Sequence, residues 1–253
     1  MFKAVSKRFL SSKRKASHRR GSSGKKSLTY TNSTNIAVFG ASGVGKTEII
    51  NSFATSIYGS TTTFRPTITE CFERRIILRS PDGTVCKHDL SILDTSGELR
   101  CDFPSVHRQA IQNSEAFVLV FALDDEDSLT ELEYILQDID AIKKTRNTPI
   151  LIIANKSDTL PCHRRRLPQR HTGSLPPVPA PRPVHASPTH ETVSESSVMR
   201  MRNKLAHLNR GLCFEKSALT RSDELNECLV SLLTKLEKRK GIDRSFYGVQ
   251  IMC

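Results

Sequence analysis

Eight consecutive residues, Gly40-Ala41-Ser42-Gly43-Val44-Gly45-Lys46-Thr47, fit the pattern G-x-x-x-x-G-K-[ST]. In such a loop, glycines let backbone N–H groups wrap a phosphate chain, and the N-terminus of the following helix adds a positive field. Lys46 is placed to bridge β- and γ-phosphate oxygens, which makes it a candidate for catalysis as well as binding, and the Thr47 hydroxyl is a candidate ligand for Mg²⁺. Three later segments carry complementary chemistry. In Asp94-Thr95-Ser96-Gly97 the carboxylate can hold Mg²⁺ through water, and Gly97 can offer its N–H to a γ-phosphate. In Asn155-Lys156-Ser157-Asp158 the Asp158 carboxylate can accept hydrogen bonds from the N1–H and 2-amino group of guanine, an edge that adenine lacks. In Glu215-Lys216-Ser217-Ala218 the Ala218 N–H can meet guanine O6, with Ser217 beside it. The first motif alone allows a bland reading as a Gly-rich turn and does not separate GTP from ATP. The four together, in this order, predict a site for GTP or GDP with Mg²⁺.

These segments need elements that bring them to one place. Asn35 to Phe39 is a short apolar strand, and Gly45 to Ser56 reads as a helix with Ile49, Ile50 and Phe53 on one side, so the phosphate loop sits between strand and helix. Residues 70–79 and 84–93 read as strands joined by Ser80-Pro81-Asp82-Gly83, a tight-turn sequence, and hence as a hairpin. Ala116 to Phe121 and Ile150 to Ile153 are almost wholly apolar, as central strands covered on both faces must be. Between them Leu129, Leu132, Ile135, Ile139 and Ile142 recur at helical spacing, and a second stripe runs from Leu225 to Leu236. Alternating strands and helices predict an α/β fold: a doubly wound, mostly parallel sheet with one antiparallel edge hairpin and helices on both faces. Each motif then falls at the C-terminal end of a strand, where such sheets bind ligands.

The tails and one interruption read differently. The formal charge is +12, and most of the excess lies in residues 1–33, which hold no Asp or Glu; self-repulsion and the lack of core residues predict a disordered tail. The GTP-binding domain is expected over 34–240, interrupted by a disordered Pro- and Arg-rich insertion at about 159–203, with 241–253 as a C-terminal tail. Seven cysteines at irregular spacing, with no apolar signal segment, predict a reducing intracellular setting. No run is apolar enough to span a bilayer, so any membrane contact is expected to be peripheral.

On these four motifs the chain resembles the Ras superfamily of small GTPases over roughly residues 33–240, apart from the insertion. Within it, Asp94-Thr95-Ser96-Gly97 and Phe103-Pro104 are most similar to the Rhes, Dexras and Di-Ras branch. The resemblance implies a P-loop NTPase fold, GTP/GDP and Mg²⁺ as ligands, slow GTP hydrolysis, and two switch segments that order around the γ-phosphate. It also implies that Thr67, in Arg65-Pro66-Thr67-Ile68, is the switch threonine reaching Mg²⁺ and the γ-phosphate, and that Tyr58 and Phe64 lie over the nucleotide. Effector proteins at the switch regions, exchange factors and GTPase-activating proteins are the implied partners of a signalling monomer.

Three departures bear on mechanism. Ser42 stands where Ras has a glycine that leaves room for an activating arginine, and Glu98 stands where Ras has the glutamine that orients water. A carboxylate at Glu98 either acts as a base or repels the charge developing on the γ-phosphate, and the second reading predicts slow hydrolysis and a long-lived GTP state. Thr69 replaces an acidic effector-loop residue, while Glu70 keeps the next one. Two readings stay open: a cycling switch, and a largely GTP-locked adaptor acting through its tail and Pro-rich loop. The tail ends at Cys253 without a C-a-a-X box, so prenylation is not expected. The basic N-terminus, with Phe2, Val5, Phe9 and Leu10 among its charges, reads equally as an anionic-membrane contact, a nuclear import signal or a solvated tail; nucleic acid is not the expected partner. The cytoplasm, the inner face of the plasma membrane and the nucleus all follow from those readings. Pro176 to Pro183 resembles an SH3 ligand, and a spacer with no partner is at least as good a reading.

Overall fold

The computed structural model describes residues 29–53, 69–79, 85–145, 147–159, 195–208, 212–215, 222–241 and 247–252. Strand β1 (Thr29–Phe39) leads through the phosphate loop into α1 (Lys46–Ser52). The hairpin strands β2 (Thr69–Arg79) and β3 (Val85–Thr95) follow, then two short helices, α2 (Leu99–Asp102) and α3 (Pro104–Asn113). After them come β4 (Ala116–Ala122), α4 (Glu126–Lys143), β5 (Ile150–Asn155), α5 (Glu195–Leu208), β6 (Leu212–Glu215), α6 (Ser222–Arg239) and β7 (Tyr247–Met252).

The strands form one sheet in the order β6-β5-β4-β1-β3-β2-β7. β1 runs parallel to both β3 and β4, and β5 and β6 continue the parallel set outward. β2 is antiparallel to β3, and β7 is antiparallel to β2. The chain leaves β1 toward β3 on one side and reaches β4 on the other, so a crevice opens at the C-terminal ends of these strands. Every residue of β4 and β5 is buried, because helices cover both faces. On one face Ile49 and Ile50 of α1, Phe53 just past its end, and Leu225, Leu229, Leu232 and Leu233 of α6 pack against Ile36, Val38, Val118 and Val120. On the other, Ile111 of α3 and Leu129, Leu132 and Ile139 of α4 pack against Phe39, Phe117, Leu119 and Phe121. A fully buried leucine contributes about 1.5–3 kcal/mol, against roughly 0–1 for a surface ion pair, so the stripes dock these helices. Asp125 starts α4 cleanly: its side chain accepts from the Asp127 and Ser128 N–H groups at 3.1 and 3.3 Å.

Three boundaries differ from the sequence reading. β1 begins at Thr29, inside the span assigned to the basic tail, because residues 29–35 pair with β3 from Thr29↔Val85 onward. Glu195–Leu208 is a helix that begins inside the span assigned to the insertion and runs past its end. Its Val198 and Met201 enter the core beside α4, and Arg200 and Lys204 reach Glu126 at 3.3 and 3.4 Å. Val198, Met201, Leu205 and Leu208 fall at intervals of three and four, a helical stripe set among polar residues directly after the Pro-rich run. Tyr247–Met252, assigned to a tail, adds a strand outside the hairpin. The Pro-rich segment 176–183 and the basic residues 1–28 lie outside the described residues.

Candidate nucleotide-binding site

The phosphate loop crosses the crevice from Phe39 to Lys46. Gly45 holds φ 93°, and a Cβ there would run into the Asn155 side-chain amide. That contact is functional in shape: the Asn155 Nδ2 donates to the Val44 carbonyl at 2.8 Å, fastening the end of β5 to the loop. Lys46 is buried, and its ammonium donates to the Gly40 and Ala41 carbonyls at 3.0 and 2.7 Å. Burial pushes Lys46 down to about 8, with the Asp94 carboxylate acting in the opposite direction.

Asp94 is fully buried at the end of β3, where its Oδ2 accepts from the Thr47 hydroxyl at 2.6 Å. Thr95 donates to the Val38 carbonyl at 2.7 Å and so locks this strand end to β1. A hard cation placed here would meet one carboxylate and one hydroxyl, all-oxygen donors that leave positions for phosphate and water, and that set fits Mg²⁺. Gly97 lies against the phosphate loop so closely that a Cβ would strike the Ser42 backbone. Ser42 and Glu98 are both exposed at this mouth, and the Glu98 N–H donates to the Ser96 hydroxyl at 3.3 Å.

The base-reading segment follows β5. Lys156 has φ 63°, which turns the chain into a 3-10 turn at Ser157–Thr159. The turn is closed by bonds from the Thr159 N–H and hydroxyl to the Lys156 carbonyl at 3.0 and 2.6 Å. The Lys156 ammonium meets the Asp124 carboxylate at 3.1 Å, and Asp158 is exposed on the turn. Lys46, Thr47, Asp94, Gly97, Asn155, Lys156 and Asp158 are thus brought to one end of the sheet. Tyr58, Phe64, Thr67, Ser217 and Ala218 lie outside the described residues.

A model of the Ras family matches residues 35–238. The chain belongs to the Ras family. Within it the chain falls in the Di-Ras and Rhes branch. It is 35% identical to the GTP-binding protein Di-Ras2 of Pongo abelii over 132 residues, 52% of this chain and 62% of that protein. It is 36% identical to the GTP-binding protein Di-Ras1 of Homo sapiens over 129 residues, 51% of this chain and 61% of that protein. The GTP-binding protein Rhes of Homo sapiens is 35% identical over 140 residues, 52% of this chain and 49% of that protein. The chain therefore spans about half to three fifths of the length of these relatives.

In this Ras-family chain two polar contacts at the site escaped the reading of the sequence. Asp124 has no motif of its own; it was findable only as an acidic residue two positions past β4, next to the strand that delivers Lys156. Arg100 lies just past Glu98 and makes a bidentate pair with Glu131 of α4 at 2.7 and 2.9 Å, its guanidinium 5.0 Å from the Tyr134 ring centre. No sequence spacing announces a contact between α2 and α4.

Proposed function

We infer that this chain is a guanine-nucleotide-dependent switch that binds GTP and GDP with Mg²⁺ and hydrolyses GTP slowly in intracellular signalling. The observation that carries the reading is the Asn155–Val44 bond at 2.8 Å. It joins the segment bearing Asp158 to the phosphate loop, so one ligand with a base and a phosphate chain engages both. The Di-Ras and Rhes relatives are GTP-binding proteins by name, which supports the same ligand.

Each residue has a physical task. Backbone N–H groups of 40–47 and the Lys46 ammonium take up phosphate charge. Thr47, Asp94 and Thr67 would hold Mg²⁺, which supplies neutralisation of charge on the phosphates. Asp158 accepts from the guanine edge, and adenine would leave that carboxylate unpaired. Gly97 can sense the terminal phosphate because it already sits on the loop. Glu98 is exposed at the mouth, and an ionised carboxylate there opposes the charge that develops during hydrolysis. The persistent GTP-bound reading draws on that position.

Two measurements decide it. Titration of labelled GDP and ADP with Mg²⁺ should give guanine a preference of at least about a hundredfold, the scale of leaving hydrogen bonds to a charged group unmade, and Asp158→Ala should remove most of it. Equal affinity for both bases would end the guanine assignment. Single-turnover hydrolysis should speed up in Glu98→Gln; a slower variant would make Glu98 a working base and favour the cycling switch.

A further inference from the structure

All eleven residues of β2 pair with β3 on one side, from Thr69↔Thr95 to Arg79↔Val85. On the other side β7 reaches only Arg75 to Arg79, with a register irregularity between Leu78 and Arg79. Among the described residues no strand lies beyond Thr69–Arg74. The covered stretch carries Ile76, Ile77 and Leu78 between Arg75 and Arg79, and the open stretch carries the exposed Glu70 and Glu73 together with Cys71, Phe72 and Arg74. An open strand edge is a template for pairing, and charged side chains along it are a usual way of blunting it. The apolar run Ile76–Leu78 carries no charge of its own, and β7 covers it together with the flanking Arg75 and Arg79. A six-residue strand paired on one side is held weakly by itself, and its tether of residues 242–246 to α6 supplies its high local concentration.

We propose that β7 is a releasable guard on the β2 edge, and that its departure opens a self-complementary surface through which two copies of this chain pair. The sequence of β2 argues for a second copy as the occupant. Laid antiparallel on itself with Arg74 on the two-fold axis, Glu73 faces Arg75, Phe72 faces Ile76 and Cys71 faces Ile77, each twice. Opposite charges and aromatic–β-branched pairs are the cross-strand contacts that stabilise such ladders. Moving the axis one residue either way loses both Glu73–Arg75 pairs. The cost is the meeting of two Arg74 side chains, each of which lies over its own Phe72 ring at 5.5 Å from the centroid and donates to its own Glu73 backbone carbonyl at 3.0 Å. Arg75 already holds Asp89 at 2.6 Å on the β3 side, so the charge ladder would run across three strands. The contact is isologous and closes as a dimer.

The test uses the full chain with Val249→Pro and Gln250→Pro, adjacent positions chosen so that a donor facing β2 is lost whichever phase the ladder has. Sedimentation over a concentration series and amide exchange at Ile76–Leu78 are the readouts. The wild type should stay monomeric. The proline variant should show exchange at those amides faster by roughly tenfold or more when dilute, and should dimerise as concentration rises. Adding Glu73→Arg should return it to monomer with the amides still fast, and a synthetic peptide of residues 246–253 should compete the dimer away. A monomer at every concentration despite open amides overturns the proposal. So do amides as protected as in the wild type, species that grow past the dimer, or indifference to Glu73→Arg. If the proline variant loses its helical circular dichroism, the chain ended after Gly241 is read by the same outcomes.

Discussion

At the scale of single residues, Lys46 is the group of the phosphate loop whose chemistry the fold has changed. Burial holds its pKa near 8 instead of the ordinary 10.5, so the ammonium is costly in the folded chain and that cost is relieved as pH rises between those values. A phosphate chain on Lys46 would restore the cation and raise the pKa again. Binding of GDP at pH 8.5 should therefore take up a fraction of a proton, and at pH 7, where Lys46 is already protonated, it should take up almost none. Calorimetry in two buffers of different ionisation heat measures this, and Lys46→Ala should abolish the uptake; equal heats in both buffers at pH 8.5 would refute the assignment. Gly97 is a second test at this scale. Its missing Cβ lets β3 and the phosphate loop touch, so Gly97→Ala should weaken nucleotide binding by about tenfold or more while the melting curve stays cooperative, the cost of a small misplacement at such a site. Its N–H was legible from the motif, but its close approach to Ser42 was not, because that depends on how β1 and β3 end side by side.

At the scale of elements, α2 and α3 are tied to α4 by two polar contacts seven residues apart on α4. Arg100 grips Glu131, and the His107 Nε2 lies 3.1 Å from Asp138 Oδ2. The first pair is partly buried and bidentate, the geometry in which an ion pair contributes measurably, and it flanks Glu98. A double-mutant cycle of Arg100→Gln and Glu131→Gln should give a coupling of about 1 kcal/mol in unfolding. It should also loosen α2, seen as faster amide exchange at residues 99–102. Additive single effects would show that the pair only decorates the surface. The elements with long apolar periodicity, α4 and α6, were readable because one stripe decides both their existence and their docking face. β4 and β5 were readable from unbroken apolar runs. α5 and β7 were not, for different reasons: the stripe of α5, Val198, Met201, Leu205 and Leu208, is short and follows a long Pro-rich run, and β7 exists through pairing with a strand more than 160 residues earlier. Local sequence holds little trace of so distant a partner.

At the scale of the whole molecule, the site occupies one end of the sheet and a buried polar cluster occupies the part of the sheet between β1, β3 and α6. His88 of β3 and Glu237 of α6 are both fully buried, with Nε2 3.8 Å from Oε1, and Asn32 of β1 donates to the same Oε1 at 2.9 Å. Burial pushes His88 down to about 4; Lys240 pushes the same way and Asp89 opposes it. The imidazole is therefore neutral in the folded chain and becomes charged in the unfolded chain below its ordinary 6.5. The unfolded state binds the extra proton, so this residue's contribution is complete above pH 6.5 and is lost as pH falls toward 4. A gap of that size corresponds to about 3 kcal/mol across the window. His88→Gln keeps a neutral hydrogen-bonding side chain and removes the titration. Denaturant unfolding of both proteins at a series of pH values should therefore show the wild type losing about 3 kcal/mol more than the variant between pH 6.5 and 4. The carboxylates away from the cluster are common to both chains, so the difference reads the cluster of His88 and Glu237, and parallel curves would mean that the cluster admits a proton without loosening α6 from the sheet.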